Sequence, residues 1–150
     1  MGLSMTREER ETYLAGLHVG VIAIAEGDGP PLAVPIWYAY EPGGELRFVT
    51  GRNSRKGKLL AVGRRLTFCA QTEEPPLYKY VSVDGTVVAI EAADTERDTR
   101  PIARRYFGEQ LGDLYVARSA AEAQDESILV RVRIDRWRTV DYAKEYASAV

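Results

Sequence analysis

The sequence predicts a mainly β chain, folded as an antiparallel barrel with a few flanking helices. Three observations predict it. Six apolar stretches have strand length, and several alternate apolar with polar residues. Dense glycine and proline turns separate the early ones. The helical stretches fall between strands without regular βαβ alternation, which argues against a doubly wound sheet.

Residues 6–17 read as a short amphipathic helix. Thr6 and Glu9 form a capping box, Gly16 supplies a stop, and Tyr13, Leu14 and Leu17 would face the core. Residues 18–25, H-V-G-V-I-A-I-A, are a first strand, closed by the turn E-G-D-G-P-P. Residues 32–40 are a second strand, in which Pro35 suggests an edge or a bulge. Glu41-Pro42-Gly43-Gly44 turns the chain into a third strand at 45–50. Short turns between these three predict an antiparallel meander.

A helix is predicted over 54–62, ended by Gly63, and a fourth strand over 66–71. After a proline loop comes a long strand at 79–90, with Gly85 hinting at a bulge or sharp bend. Residues 92–123 read as helix in two pieces, with Pro101 near the start and Gly108 or Gly112 at the break. Tyr106 and Phe107 supply apolar anchors there. Residues 120–126 read as a loop or fraying end. I-L-V-R-V-R-I at 128–134 alternates cleanly as the last core strand, which 137–142 would extend, and 143–150 read as a loose tail.

The 150 residues suit a single domain, 1–150. A net charge of −2 gives no global reason to expect nucleic acid or an acidic membrane. The one cysteine, Cys69, lies in an apolar run, which excludes an intramolecular disulfide and fits a reducing compartment. No signal-peptide pattern and no membrane-length apolar run is present, so the expected location is the cytoplasm. With one histidine, His18, and one cysteine, a His/Cys metal site is not expected. No G-x-S-x-G exists for a Ser-His hydrolase.

The unusual stretch is 45–60, E-L-R-F-V-T-G-R-N-S-R-K-G-K-L-L. A strand passes through Gly51 to an N-cap at Asn53 or Ser54. Arg52, Arg55, Lys56 and Lys58 put four cations in seven residues at the positive end of a helix, with no acid among them. Two readings fit: a solvated basic turn, or a site where backbone N–H groups, a hydroxyl and cations converge on an anion. It is not a P-loop, because Leu59 stands where the Mg²⁺-binding Ser or Thr would follow Lys58. One hairpin away lie the aromatics Trp37, Tyr38 and Tyr40. A flat ring resting on that hairpin could place its phosphate on the helix end.

The stretches P-I-W-Y-A-Y (35–40), F-V-T-G-R-N-S-R-K (48–56) and Y-V-S-V-D-G (80–85) resemble the pyridoxamine 5′-phosphate oxidase-like split β-barrel superfamily. Within it the chain is most similar to the flavin/deazaflavin oxidoreductase group B, which includes F420-dependent reductases. T-x-x-x-S-R-K is the most specific element. The resemblance implies an antiparallel split β-barrel (α+β, mainly β) and a homodimer with cofactor sites at the subunit interface. It implies that Thr50, Ser54, Arg55 and Lys56 hold the cofactor phosphate. The backbone of Pro35, Ile36, Trp37 and Tyr38 would lie against the flavin-type ring, and Lys79 and Tyr80 would approach from across the dimer.

Two departures point away from vitamin B6 oxidation. Val34-Pro35 replaces the arginine that grips the FMN phosphate in the true oxidase, and Asp135-Arg136-Trp137-Arg138 replaces its R-x-H-like element. Arg52 and Lys58 fit instead the acidic polyglutamate tail of coenzyme F420. The implied activity is hydride transfer from reduced F420 to a small unsaturated or aromatic substrate. The alternatives are an FMN-dependent oxidoreductase of the same fold, and a non-catalytic carrier of a flavin, a deazaflavin or a haem-like ligand. The resemblance assigns no proton donor; Lys79, Tyr80 and Tyr38 are candidates.

Overall fold

The computed structural model describes residues 2–146. Six antiparallel strands, β1 (Gly20–Ile24), β2 (Leu32–Ile36), β3 (Leu46–Gly51), β4 (Arg65–Thr72), β5 (Lys79–Ala92) and β6 (Ser127–Asp141), lie in the order β2-β1-β4-β5-β6-β3. Their side chains alternate between a shared interior and the outside, which is the period the sequence carries. Ile22, Phe48, Phe68, Val83 and Val130 are fully enclosed in that interior.

The predicted meander holds for β1 and β2 only. β3 leaves β2 and pairs along its length with β6, from Leu46 opposite Val132 to Gly51 opposite Ser127. β2 is therefore a sheet edge, consistent with Pro35. Beyond it, residues 37–40 leave the ladder. There Ala39 meets Arg47 in one isolated bridge, with backbone hydrogen bonds of 2.8 and 2.9 Å. That bridge links the segment after β2 to β3.

Gly85 is where the sheet bends. Its register with β6 shifts between Asp84 and Gly85, and a Cβ there would lie 2.9 Å from the Arg133 carbonyl oxygen and collide with Val132. Before the bend β5 pairs with β4 on one side; after it, β6 carries the sheet on to β3. Gly20 has the same logic, since the Phe68 ring occupies the place of a side chain.

Helix α1 (Arg7–Ala15) starts on the expected capping box, with Glu9 N donating to Thr6 Oγ1 at 3.2 Å and Thr6 N to Glu9 Oε1 at 2.8 Å. Leu14 is fully buried, but Leu17 is 60% exposed. The helix stops at Ala15 and Gly16 is extended, so Leu17 falls on the linker rather than on the helical stripe. Helix α2 (Arg55–Leu59) is shorter than predicted, because Leu60 already adopts extended backbone.

The segment after β5 begins with a π-helical turn, Thr95–Thr99, and continues as α3 (Arg100–Phe107) and α4 (Glu109–Glu122). Gly108, at φ 82°, separates them. Close packing of the pair depends on Gly112, where a Cβ would lie 2.7 Å from Arg104 Cα. Asp113 ties the two helices together, accepting from Arg100 at 2.7 Å and from Arg104 at 2.8 and 2.9 Å. β6 runs unbroken through the predicted extension. α5 (Ala143–Tyr146) follows it, and the end of the predicted tail lies outside the described residues. Among the described residues no helix is long and apolar enough to cross a membrane.

Candidate functional site

The turn between β3 and α2 is built from its own hydroxyls. Ser54 caps α2 by accepting from Gly57 N at 3.1 Å, and it donates to the Gly51 carbonyl at 2.7 Å. Its single proton is thereby used, so buried Thr50 donates to Ser54 across 3.2 Å. Gly57 lets the helix sit directly on the turn: a Cβ there would overlap the Gly51 carbonyl oxygen and lie 2.6 Å from that of Arg52. The sequence showed no signal for this role.

The four cations have different surroundings. Arg52 donates to Glu126 at 2.9 Å, and neighbouring Asn53 donates to Asp125 through its backbone at 2.7 Å and its amide at 2.9 Å. Arg55 donates in a bidentate pair to Glu26 on the β1–β2 turn, at 3.1 and 2.6 Å. Lys58 is exposed. Neither Lys56 nor Lys58 forms an ion pair with any described residue. The acids absent from the local sequence thus arrive from two distant loops, and they neutralise two of the four charges.

Lys56 instead lines a groove of about 280 Å³. Its floor is Pro35, Ile36 and Trp37 at the end of β2, with Val49 beside them; its far wall is Thr99, Ile102, Ala103 and Tyr115. Among the described residues no carboxylate lines it. Trp37 is fixed by three rings: stacked on Tyr106 at 5.1 Å and 10°, edge-on to Phe107 at 4.8 Å, and tilted against Tyr115 at 5.4 Å. Tyr106 donates to the His18 carbonyl at 2.6 Å and accepts from Tyr38 N at 3.2 Å, which anchors α3 to the strand end. The Thr99, Ile102 and Ala103 wall carries no motif, and only the fold reveals it.

Pro35, Ile36, Trp37 and Lys56 therefore meet in one groove, with Thr50, Ser54 and Arg55 on the adjoining turn. Tyr38 points the other way. Its ring is buried against Phe68, its hydroxyl donates to the Leu14 carbonyl at 2.7 Å, and burial pushes its ionisation far above the ordinary phenol value. It offers this edge backbone only. Lys79 and Tyr80 stand elsewhere on the chain, at the start of β5. Lys79 lines a pocket against α1, its Nζ 5.8 Å from the Tyr13 ring centre.

His18 is stacked on Tyr13 at 4.2 Å, and its Nε2 lies 2.9 Å from the Tyr13 carbonyl, a contact in which Nε2 carries the proton. Burial lowers its pKa. Burial likewise pushes the Cys69 thiol up, away from thiolate chemistry. Among the described residues no three His, Cys, Asp or Glu side chains converge to hold a metal ion.

Comparison with known proteins agrees with this architecture. The family model for pyridoxamine 5′-phosphate oxidase matches residues 6–141. A conserved hypothetical protein from Mycobacterium tuberculosis superposes with a TM-score of 0.76 at 22% identity, over 96% of this chain and 89% of its own. An F420 reductase gives 0.68 at 21%, over 85% and 94%. A FAD and haem binding protein from Mycobacterium smegmatis gives 0.66 at 18%, over 94% and 73%. No curated protein matches. At these identities the superpositions establish the fold, and the family follows from the model match: the chain belongs to the pyridoxamine 5′-phosphate oxidase family of split β-barrels.

Proposed function

We propose that this chain is a homodimeric oxidoreductase that binds coenzyme F420 and uses it to deliver hydride to a small unsaturated or aromatic substrate. One observation carries the reading. Lys56, without a carboxylate partner among the described residues, opens onto an aromatic-walled groove beside the Thr50–Ser54–Arg55 turn. A planar ring fits against Trp37 and the edge of β2, and its phosphate fits Lys56 and the turn. The fold neighbour that is an F420 reductase supports the same assignment.

The deazaflavin, when bound, supplies the hydride chemistry; the protein binds, orients and shields. Lys56 and Arg55 would hold the phosphate. Ile36 and Trp37 would set the plane of the ring. Ile102 and Ala103 would exclude water, and Tyr115 is the one phenol lining the groove, able to hold a proton at its hydroxyl oxygen. The groove volume, about 280 Å³, lies just below the range for small-molecule sites, roughly 300–1,000 Å³. One chain then supplies half a site. The exposed apolar side chains Phe107, Leu111 and Leu114 beside it suit burial against a second copy, whose Lys79 and Tyr80 would complete the pocket.

The second reading is an FMN-dependent enzyme on the same fold. The Arg52–Glu126 pair favours it, because one of the two cations suited to a polyglutamate tail is already engaged. Titration of the purified protein with oxidised F420 and with FMN decides between them. Tighter binding of F420, followed by oxidation of reduced F420 with an acceptor present, is expected. Tight FMN binding with no F420 binding overturns the lead. Cofactor binding without turnover of any acceptor assigns a carrier instead.

A further inference from the structure

We infer that Glu26, on the turn between β1 and β2, competes with the ligand's phosphate for Arg55 and so sets the affinity of the site. The inference rests on the flavin-phosphate reading of the β3–α2 turn.

Glu26 presents two oxygens to Arg55 Nε and a terminal nitrogen, at 3.1 and 2.6 Å. This is the forked geometry in which an arginine grips a phosphate monoester, so one guanidinium edge cannot serve both partners. The Arg55 side chain is 69% exposed, and Glu26 is its only ion-pair partner among the described residues. An exposed pair of this kind is weak and readily exchanged. Glu26 also lies in the sequence E-G-D-G-P-P, where Gly27 has φ 57° and the surrounding residues are exposed, so the carboxylate can swing away without unpacking the barrel. Arg64 donates to the Ala25 carbonyl and keeps the turn attached while Glu26 moves.

The acids on the other side of the turn differ. Asp125 accepts a backbone N–H and an amide from Asn53, and Glu126 accepts from Arg52 N through its own carbonyl at 2.8 Å. Those contacts hold the shape of the turn and are not exchangeable with a ligand. Among the described residues Glu26 is the acid paired with a group assigned to the phosphate itself; the exposed Arg52–Glu126 side-chain pair, at 2.9 Å, engages a cation suited to the F420 tail instead.

The test compares wild-type protein, Glu26→Gln, Arg55→Ala and the double variant, each titrated with FMN and with F420 at fixed ionic strength. Glu26→Gln should tighten binding about two- to five-fold, the range open to an exposed ion pair. The gain should vanish in the Arg55→Ala background, because the released group is then absent. Unchanged or weaker binding by Glu26→Gln overturns the inference, as does a gain that persists without Arg55. Lys56→Ala, measured alongside, separates the two levels. If it weakens binding while Glu26→Gln has no effect, only the role of Glu26 falls. If wild-type protein binds neither ligand, the phosphate reading falls, and the competition with it.

Discussion

Replacing Lys56 with alanine tests the site at its least entangled cation. Lys56 sits on α2 with its side chain at the groove, and no described carboxylate pairs with it. Its removal orphans no acid, in contrast to Arg55, whose loss would free Glu26, and Arg52, whose loss would free Glu126. Alanine also suits a helix, so the fold should be unaffected. A charge-assisted hydrogen bond to phosphate is worth about 1.5–3 kcal/mol. At about 1.4 kcal/mol per decade this raises Kd roughly 10- to 150-fold. The assay is a fluorescence titration with F420 and with FMN, repeated at low and high salt, beside a thermal melt. The expected result is weaker binding, a shallower salt dependence and an unchanged melting temperature. Affinity unchanged from wild type for both ligands, with an unchanged melt, would refute the argument and leave the basic turn as a solvated face.

Gly57→Ala should destabilise the chain by about 1–3 kcal/mol, since the new methyl must displace backbone carbonyls rather than a flexible side chain; a urea midpoint that falls at constant slope checks this. Trp37→Ala should weaken cofactor binding and loosen α4, read by cofactor titration and by faster amide exchange in Glu109–Glu122. Asp113 is held at about 2, below its ordinary 3.8, by Arg104 and then Arg100. A depressed carboxylate contributes stability above its unfolded value and loses it as pH falls through the folded one. The α3–α4 junction should therefore keep its amide protection down to about pH 4 and lose it towards pH 2, and Asp113→Asn should abolish that dependence.

Where a signal is local, the sequence was a sound guide. The Thr6–Glu9 capping box needs residues three apart, and both of its bonds are present. Gly85 interrupts an alternating run, and the strand bends there. A cap at Asn53 or Ser54 and a break at Gly108 or Gly112 are short-range signals of the same kind, and the structure uses Ser54 and Gly108. What failed depends on distant pairing. Nothing near β3 announces β6 as its partner, so a meander was the economical reading of three strands and two turns. The basic turn looked unbalanced because its acids, Glu26, Asp125 and Glu126, come from other loops. Helical spacing places Leu17 on the apolar face, but the backbone stops being helical at Ala15, so its side chain is exposed. The apolar wall of the groove uses ordinary core-type residues, and periodicity cannot tell a pocket wall from a core.

The clamp that Asp125 and Glu126 place on the 51–53 turn has a consequence for the order of assembly. The residues proposed to bind phosphate lie at 50–56, while their clamp follows 74 positions after Arg52. On the ribosome, the first half of the site emerges well before the second. Until β6 docks beside β3, the Asn53 amide has no carboxylate and only the turn's own Ser54 and Thr50 bonds hold it. Contacts spanning this much chain form late and slowly. On the proposed reading, nascent chains stalled before 125 should capture no flavin, and cofactor capture would be a late step of folding rather than a template for it.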